Sequence, residues 1–258
     1  MIPSAVRFLA FVLAAAACLP SVGVAGERRA SSDTVRGVVE FFTSQGCADC
    51  VAAETVIRDL RRDAGLVVVS YHVDYWDYIG WRDTLGSNRN GERQRDYARQ
   101  IKSGPLATPQ AVVNGRIALP GGDGAVLRAT LARHDLRQAA ASRPRVDLTS
   151  DGETLTLRAE PAAASPNGRA PVVMLVTYAA RTVTRVEDGE NRGREMVDSQ
   201  AVRDWRVVGT LKDEPLEVSV PLTMLVEATQ GAGCAVLVQS VDENDQPSTI
   251  LSAAALDF

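Results

Sequence analysis

The sequence predicts an α/β domain of order βαβαββα over residues 35–141, followed by an all-β, antiparallel, sandwich-like domain over residues 145–258. Three observations lead there. From Val35 to Gln138, short β-branched runs alternate with stretches whose apolar residues recur at helical spacing. After Pro144 no helical stripe survives, and period-2 alternation rich in Thr, Val, Gly and Pro takes over. The composition of the 258 residues, 45% hydrophobic and 23% charged, is that of a globular chain with one large domain or two of moderate size.

The elements follow in order. "VVEFF" (38–42) reads as a buried strand, and "CADCVAAETVIRDLRRD" after it places Val51, Ala52, Thr55, Val56 and Leu60 on one helical face. "GLVVVSYHV" (65–73) is a second buried strand. "GERQRDYARQIKSG" (91–104) is a polar helix with a narrow stripe of Tyr97, Ala98 and Ile101, stopped by Gly104 and Pro105. "AVVNGRIAL" (111–119) is a hairpin, because Asn-Gly tolerates the positive φ of a two-residue turn. "GGDGAVLRATLARHDLRQAAA" (121–141) closes this half as an amphipathic helix. The second half starts with a hairpin around Asp151-Gly152 and continues as roughly seven or eight strands in the pattern of a sandwich. "PAAASPNGRAP" (161–171) is a loop.

The N-terminus reads as an address. Arg7 precedes "FLAFVLAAAA" (8–17), an apolar run that suits a signal-peptide core and is too short to span a bilayer. Gly23-Val24-Ala25 supplies a small-x-small site, so residues 1–25 are expected to be removed. A lipid-modified Cys18 is the weaker alternative, since Ala15 stands where a large aliphatic residue is expected. Either route exports the protein, to the periplasm or beyond, and the mature chain has no integral membrane segment. A net charge of −4 with scattered basic residues argues against nucleic acid as a partner.

Cys47 and Cys50 stand at the first strand-to-helix junction. A thiol there meets unpaired backbone N–H groups and the positive end of the helix dipole, which favour thiolate. The second cysteine lies one turn on, within reach of a disulfide. In this geometry Cys47 is the exposed attacker and Cys50 the buried resolver, with Gly46 letting a partner chain approach. Asp49 opposes the thiolate, and no histidine separates the cysteines, so the pair is expected to be moderately reducing. Zinc needs two further ligands, and Cys234, His72 and His134 have no ligand spacing, so no metal and no cofactor is expected. An inert surface disulfide remains open beside the redox reading.

"EFFTSQGCADC", "ATPQAVVNG", "YHVDYWDYIGWRDTLGSNRNGERQRDYA" (71–98) and "ENRGR" together resemble the bacterial exported family catalogued as domain of unknown function 1223, over nearly the whole mature chain. Cys47–Cys50, Thr108-Pro109 and the βαβαββα order also resemble the thioredoxin-like superfamily. That resemblance implies a thioredoxin-like domain over 35–141, a cis Pro109 facing the cysteines, and Thr108 and Gln110 binding an extended substrate backbone. Family members often read Cys-Ser-Ser-Cys-Pro, where this chain has Ala48-Asp49 and Val51.

Residues 71–81 concentrate Tyr71, Tyr75, Trp76, Tyr78 and Trp81, five of the chain's thirteen aromatics. They follow a strand, at the sheet edge where sites in α/β folds gather. Tyr75, Trp76 and Trp81 are therefore candidate walls of a substrate groove, with Asp74 and Asp77 as acceptors and His72 as a proton-transfer group. The plainer reading packs the rings on the fold. Glu54, one turn after Cys50, is either an exposed helix residue or a carboxylate serving the resolving thiol. "EDGENRGRE" (187–195) is a charged loop, and Arg192 or Arg194 is its candidate anion ligand. Cys234 opens an apolar strand and belongs in the core.

Two functions follow from different classes. One is a thiol-disulfide oxidoreductase acting on a protein or small-thiol redox partner. The other is a non-catalytic exported binding module with an aromatic groove and a structural disulfide. Hydrolytic and nucleotide-binding motifs are absent: no G-x-S-x-G is present and "GGDG" is too short.

Overall fold

A computed structural model describes residues 26–163, 168–225, 231–244 and 246–258. The expected signal segment, with Cys18, lies outside the described residues. The elements are β1 (Arg28–Ser31), β2 (Gly37–Thr43), α1 (Cys50–Arg61), β3 (Leu66–His72), α2 (Asn88–Ile101), β4 (Gln110–Val113), β5 (Ile117–Pro120) and α3 (Gly124–Arg133). They continue with β6 (Arg145–Ser150), β7 (Thr154–Glu160), β8 (Val172–Arg185), β9 (Glu195–Thr210), β10 (Leu216–Pro221), β11 (Ala232–Val241) and β12 (Pro247–Asp257).

β2 and β3 are buried at every position and pair in parallel. Alternation divides their side chains between two faces. Val39 and Phe41 pack with Ile57 and Leu60 of α1 and Leu127 and Leu131 of α3. Val38 and Phe42 face the other way, where Phe42 stacks on Tyr71 at 5.4 Å and meets Tyr97 of α2 edge-on at 6.3 Å. The β4–β5 hairpin turns at Asn114 (φ 51°) and Gly115 (φ 64°), as the Asn-Gly pair predicts.

The expected division into a thioredoxin-like βαβαββα domain and a separate sandwich is not the architecture. The molecule is mostly β, and an eight-stranded sheet runs β12-β11-β8-β9-β3-β2-β4-β5 through both halves. The second sheet has four strands, β1-β6-β7-β10. The reason is the free edge of β3, an apolar strand whose unpaired backbone groups need partners. β9 supplies them through a parallel bridge, Ser70 to Ala201, backed by Ser70 Oγ donating to the Ser199 carbonyl at 2.8 Å. The long β8–β9 ribbon then carries β11 and β12 into the same sheet by antiparallel pairing.

The four-stranded sheet covers part of this joint sheet, packing Val146, Leu148, Leu155 and Leu157 against Val173, Leu175, Val236 and Val238. On the opposite face, Arg93 of α2 is buried and donates to Glu40 of β2 (2.8 Å), Gln239 of β11 (3.0 Å) and Tyr97 (2.9 Å). Burial alone would lower the Arg93 guanidinium, but Glu40 and the two neighbouring tyrosines more than offset it and its pKa is raised. β12 also reaches the β4–β5 turn, where Ile250 N donates to the Asn114 carbonyl at 3.0 Å.

The last helix of the first half is shorter than its apolar pattern suggests. It ends at Arg133, and a 3₁₀ stretch, Leu136–Ser142, follows. Asp135 caps that stretch through Arg137 N, and Leu136 N donates to the Arg36 carbonyl at 2.8 Å, which pulls the chain back to the strand β2 entry.

Candidate functional site

Cys50 opens α1 and is bonded to Cys47, with Cα atoms 5.3 Å apart. Cys47 Sγ lies 3.7 Å from the Thr108 carbonyl, and the Thr108–Pro109 peptide is cis. Cys47 is only 1% exposed, so it is not the open thiol that the spacing suggests. The loop at the tip of the β8–β9 hairpin lies over it. Asn191 Nδ2 donates to the Gln45 carbonyl at 2.8 Å and the Cys47 carbonyl at 3.0 Å. Glu190 Oε2 accepts from Ala48 N at 3.1 Å. Arg192 and Arg194, the candidate anion ligands, are exposed. Within the chain, the close approach at Gly46 is made by Ile79, 3.3 Å from where a Cβ would stand.

The loop after β3 folds onto the same junction. Trp81 Nε1 donates to Gln45 Oε1 at 3.2 Å. Tyr75 OH donates to Gln94 of α2 at 3.0 Å, and Gln94 in turn donates to Gln110 Oε1 at 3.1 Å and the Ala107 carbonyl at 2.8 Å. Gln110 is thus buried and occupied by α2. Trp76 stacks with Tyr78 at 6.4 Å, and Asp74 lies near Gly91 at the head of α2. Of the aromatics, Tyr71 belongs to the core, Tyr75, Trp76 and Trp81 are half-buried, and Tyr78 is exposed.

Behind the disulfide lies a buried polar cluster at the β3–β9 seam. His72 Nδ1 is 2.8 Å from Asp83 Oδ2. His72 Nε2 faces Asp198 Oδ1 of β9 at 4.0 Å. Glu54 accepts from Ser199 N at 3.1 Å. Gln45 joins these groups to the cysteine loop: its amide donates to Asp198 Oδ2 at 2.8 Å and to Thr184 at 3.1 Å, and its backbone N donates to Asp83 at 2.8 Å. Burial, with Asp198 adding to it, pushes Glu54 up to about 7. Burial disfavours the His72 imidazolium, but Asp83 and then Asp198 and Glu54 outweigh it and hold His72 up at about 9. Asp198 is raised, chiefly by burial. Asp83 is lowered, because His72 overcomes the opposing effect of burial.

Sequence reasoning reached Cys47, Cys50, Thr108, Pro109, Trp81, His72 and Glu54. It missed Gln45, Asp83, Glu190, Asn191 and Asp198. "ENRGR" is the sequence signal for the covering loop, and the residues of it that hold the cysteine turn are Glu190 and Asn191. Asp198 had no local signal.

The family model described as "Protein of unknown function (DUF1223)" matches residues 38–239. No curated protein matches. Among solved structures, the crystal structure of protein AGR_C_4864 from Agrobacterium tumefaciens is similar at 32% identity and a TM-score of 0.74, covering 86% of this chain and 94% of that one. HBP35 of Porphyromonas gingivalis is similar at 12% identity and a TM-score of 0.63, covering 86% of this chain and 74% of that one, a likeness of fold alone.

Proposed function

The chain belongs to the DUF1223 family, and on that premise we propose that it is an exported thiol-disulfide oxidoreductase in which Cys47 attacks and Cys50 resolves. The observation that carries this reading is a cysteine pair closed at the head of α1, with the Thr108 carbonyl 3.7 Å from Cys47 Sγ. In the reduced protein the Cys47 thiolate attacks a substrate disulfide and releases one substrate thiolate. The Cys50 thiolate then attacks Cys47 Sγ and releases the second. Two electrons pass to the substrate and the Cys47–Cys50 bond forms; the same steps reversed oxidise a dithiol. Thr108 and Pro109 line the substrate path in this reading, with Trp81, Tyr75 and Trp76 beside it. Asp74 acts from the same loop. Glu190 and Asp49 lie beside the loop and disfavour a second negative charge on Cys47, which suits a reducing couple. Residues 1–25 act as the export signal.

The burial of Cys47 supports a second reading, a binding module in which the disulfide is a staple. Cys50→Ser separates the two. Under the first reading it accumulates mixed disulfides through Cys47 in an extract of the exported compartment, reversed by reductant and abolished by adding Cys47→Ser. Complete absence of adducts, with a wild-type disulfide that resists glutathione and thioredoxin, overturns the oxidoreductase reading in favour of the staple.

A further inference from the structure

The geometry points to a binding site for a divalent transition-metal cation held by Glu54, His72 and Asp198 at the β3–β9 seam. This site does not rest on the thiol chemistry above.

Among the described residues, each of the three side chains is held by one atom and free at another. Glu54 Oε2 accepts from Ser199 N at 3.1 Å, and Glu54 Oε1 has no hydrogen-bond partner. Asp198 Oδ2 accepts from Gln45 Nε2 at 2.8 Å, and Asp198 Oδ1 has none. His72 Nδ1 is paired with Asp83 at 2.8 Å, and His72 Nε2 has no hydrogen-bond partner. The residues are 3%, 0% and 1% exposed, and one ligand atom from each lies within 4.8 Å of the others. Orphaned buried polar atoms are costly, and three in one place call for a common partner.

The chemistry of the donors selects a cation. Three carboxylates, Glu54, Asp83 and Asp198, surround one imidazole; among the described residues no Lys or Arg hydrogen-bonds to any of them, and Arg58, on the same helix as Glu54, acts on Glu54 only through its charge. The His72–Asp83 pair is the arrangement that fixes a metal-binding histidine, with the far nitrogen left to coordinate. Asp83 is itself fixed by Gln45 N and Leu85 N, both at 2.8 Å. One imidazole with two carboxylates suits Zn²⁺, Mn²⁺ or Fe²⁺. Ligands about 2.0–2.2 Å from a tetrahedral ion stand roughly 3.3–3.6 Å apart, so the three atoms, within 4.8 Å of one another, close on an ion by rotation of both carboxylates. The ion takes the place of a proton at His72 Nε2, while Nδ1–H stays on Asp83.

The test uses the full oxidised chain, both native and refolded from urea with Zn²⁺ or Mn²⁺, then dialysed and assayed for metal. The expected result is one ion per chain and a raised melting temperature. With Co²⁺, d–d absorption without a thiolate charge-transfer band is expected. Glu54→Gln and Asp198→Asn keep the shape and the anchoring hydrogen bonds. Each should weaken binding by at least the roughly 10–100-fold that loss of an orienting partner such as Asp83 produces. Cys47→Ser/Cys50→Ser should bind as the parent does. Retention of neither metal by native and refolded protein overturns the site, as does binding that survives both carboxylate substitutions or is lost with the cysteines.

Discussion

Asn191 donates from its side-chain amide to the carbonyl oxygen of Cys47, 144 positions earlier in the chain, at 3.0 Å. The same nitrogen serves the Gln45 carbonyl at 2.8 Å, and Asn191 is fully buried. The hairpin tip therefore covers the disulfide and satisfies the backbone of the turn that presents it. Any partner thiol must displace this tip or enter beside it.

Removing that amide should weaken both the cover and the fold. Asn191→Ala removes the donor to the buried Gln45 carbonyl and one of the two donors to the Cys47 carbonyl, which keeps Cys50 N at 3.2 Å, at a cost of about 1–3 kcal/mol. Urea unfolding should show that loss, and reduction of the disulfide by dithiothreitol should be faster. Arg192→Ala, at an exposed neighbour, should stay within about 0.5 kcal/mol of the parent. An unchanged reduction rate in Asn191→Ala would mean that the hairpin tip does not control access.

The Arg93–Glu40 pair ties α2 to β2 in the core, with Gln239 and Tyr97 completing its hydrogen bonds. Arg93→Met strands the Glu40 carboxylate at a fully buried position. Breaking such a pair from one side typically costs about 3–5 kcal/mol, whereas replacing both partners is far milder. Denaturant unfolding should therefore find Arg93→Met/Glu40→Gln more stable than Arg93→Met alone. If the two losses simply add, the pair is not energetically coupled.

How much of this was legible in the sequence depended on distance along the chain. β2, β3, the Asn114-Gly115 turn and the Asp151-Gly152 turn declare themselves within a few residues, through periodicity or positive φ. The junction of β3 with β9 does not: it is a parallel bridge between Ser70 and Ala201, with no local signature on either strand. That one pairing decides whether the halves separate or share a sheet. It also brings Asp198 to His72 and Asn191 to Cys47, so the residues missed at the site are those that β9 and its hairpin deliver. The cysteines, His72 and Glu54 were found because their spacing from β2, β3 and the head of α1 is local.

Cys234, the free cysteine among the described residues, should behave as core. It is fully buried on β11 among Val236, Leu148 and Leu256, and burial, with Asp257 adding to it, pushes its thiol up to about 12. Alkylation of the native protein at pH 8 should pass it by and should appear only with global unfolding. The sign of the pH effect follows from the raised value. Below the ordinary thiol pKa of about 8.5 neither state ionises and its packing contribution is intact. As pH rises from there toward about 12, the unfolded thiol ionises while the folded one holds its proton, so stability is lost. The stability difference between the parent and Cys234→Ala should therefore shrink steadily above about pH 8.5. A constant difference across that range, or ready alkylation at pH 8, would place the thiol in contact with solvent.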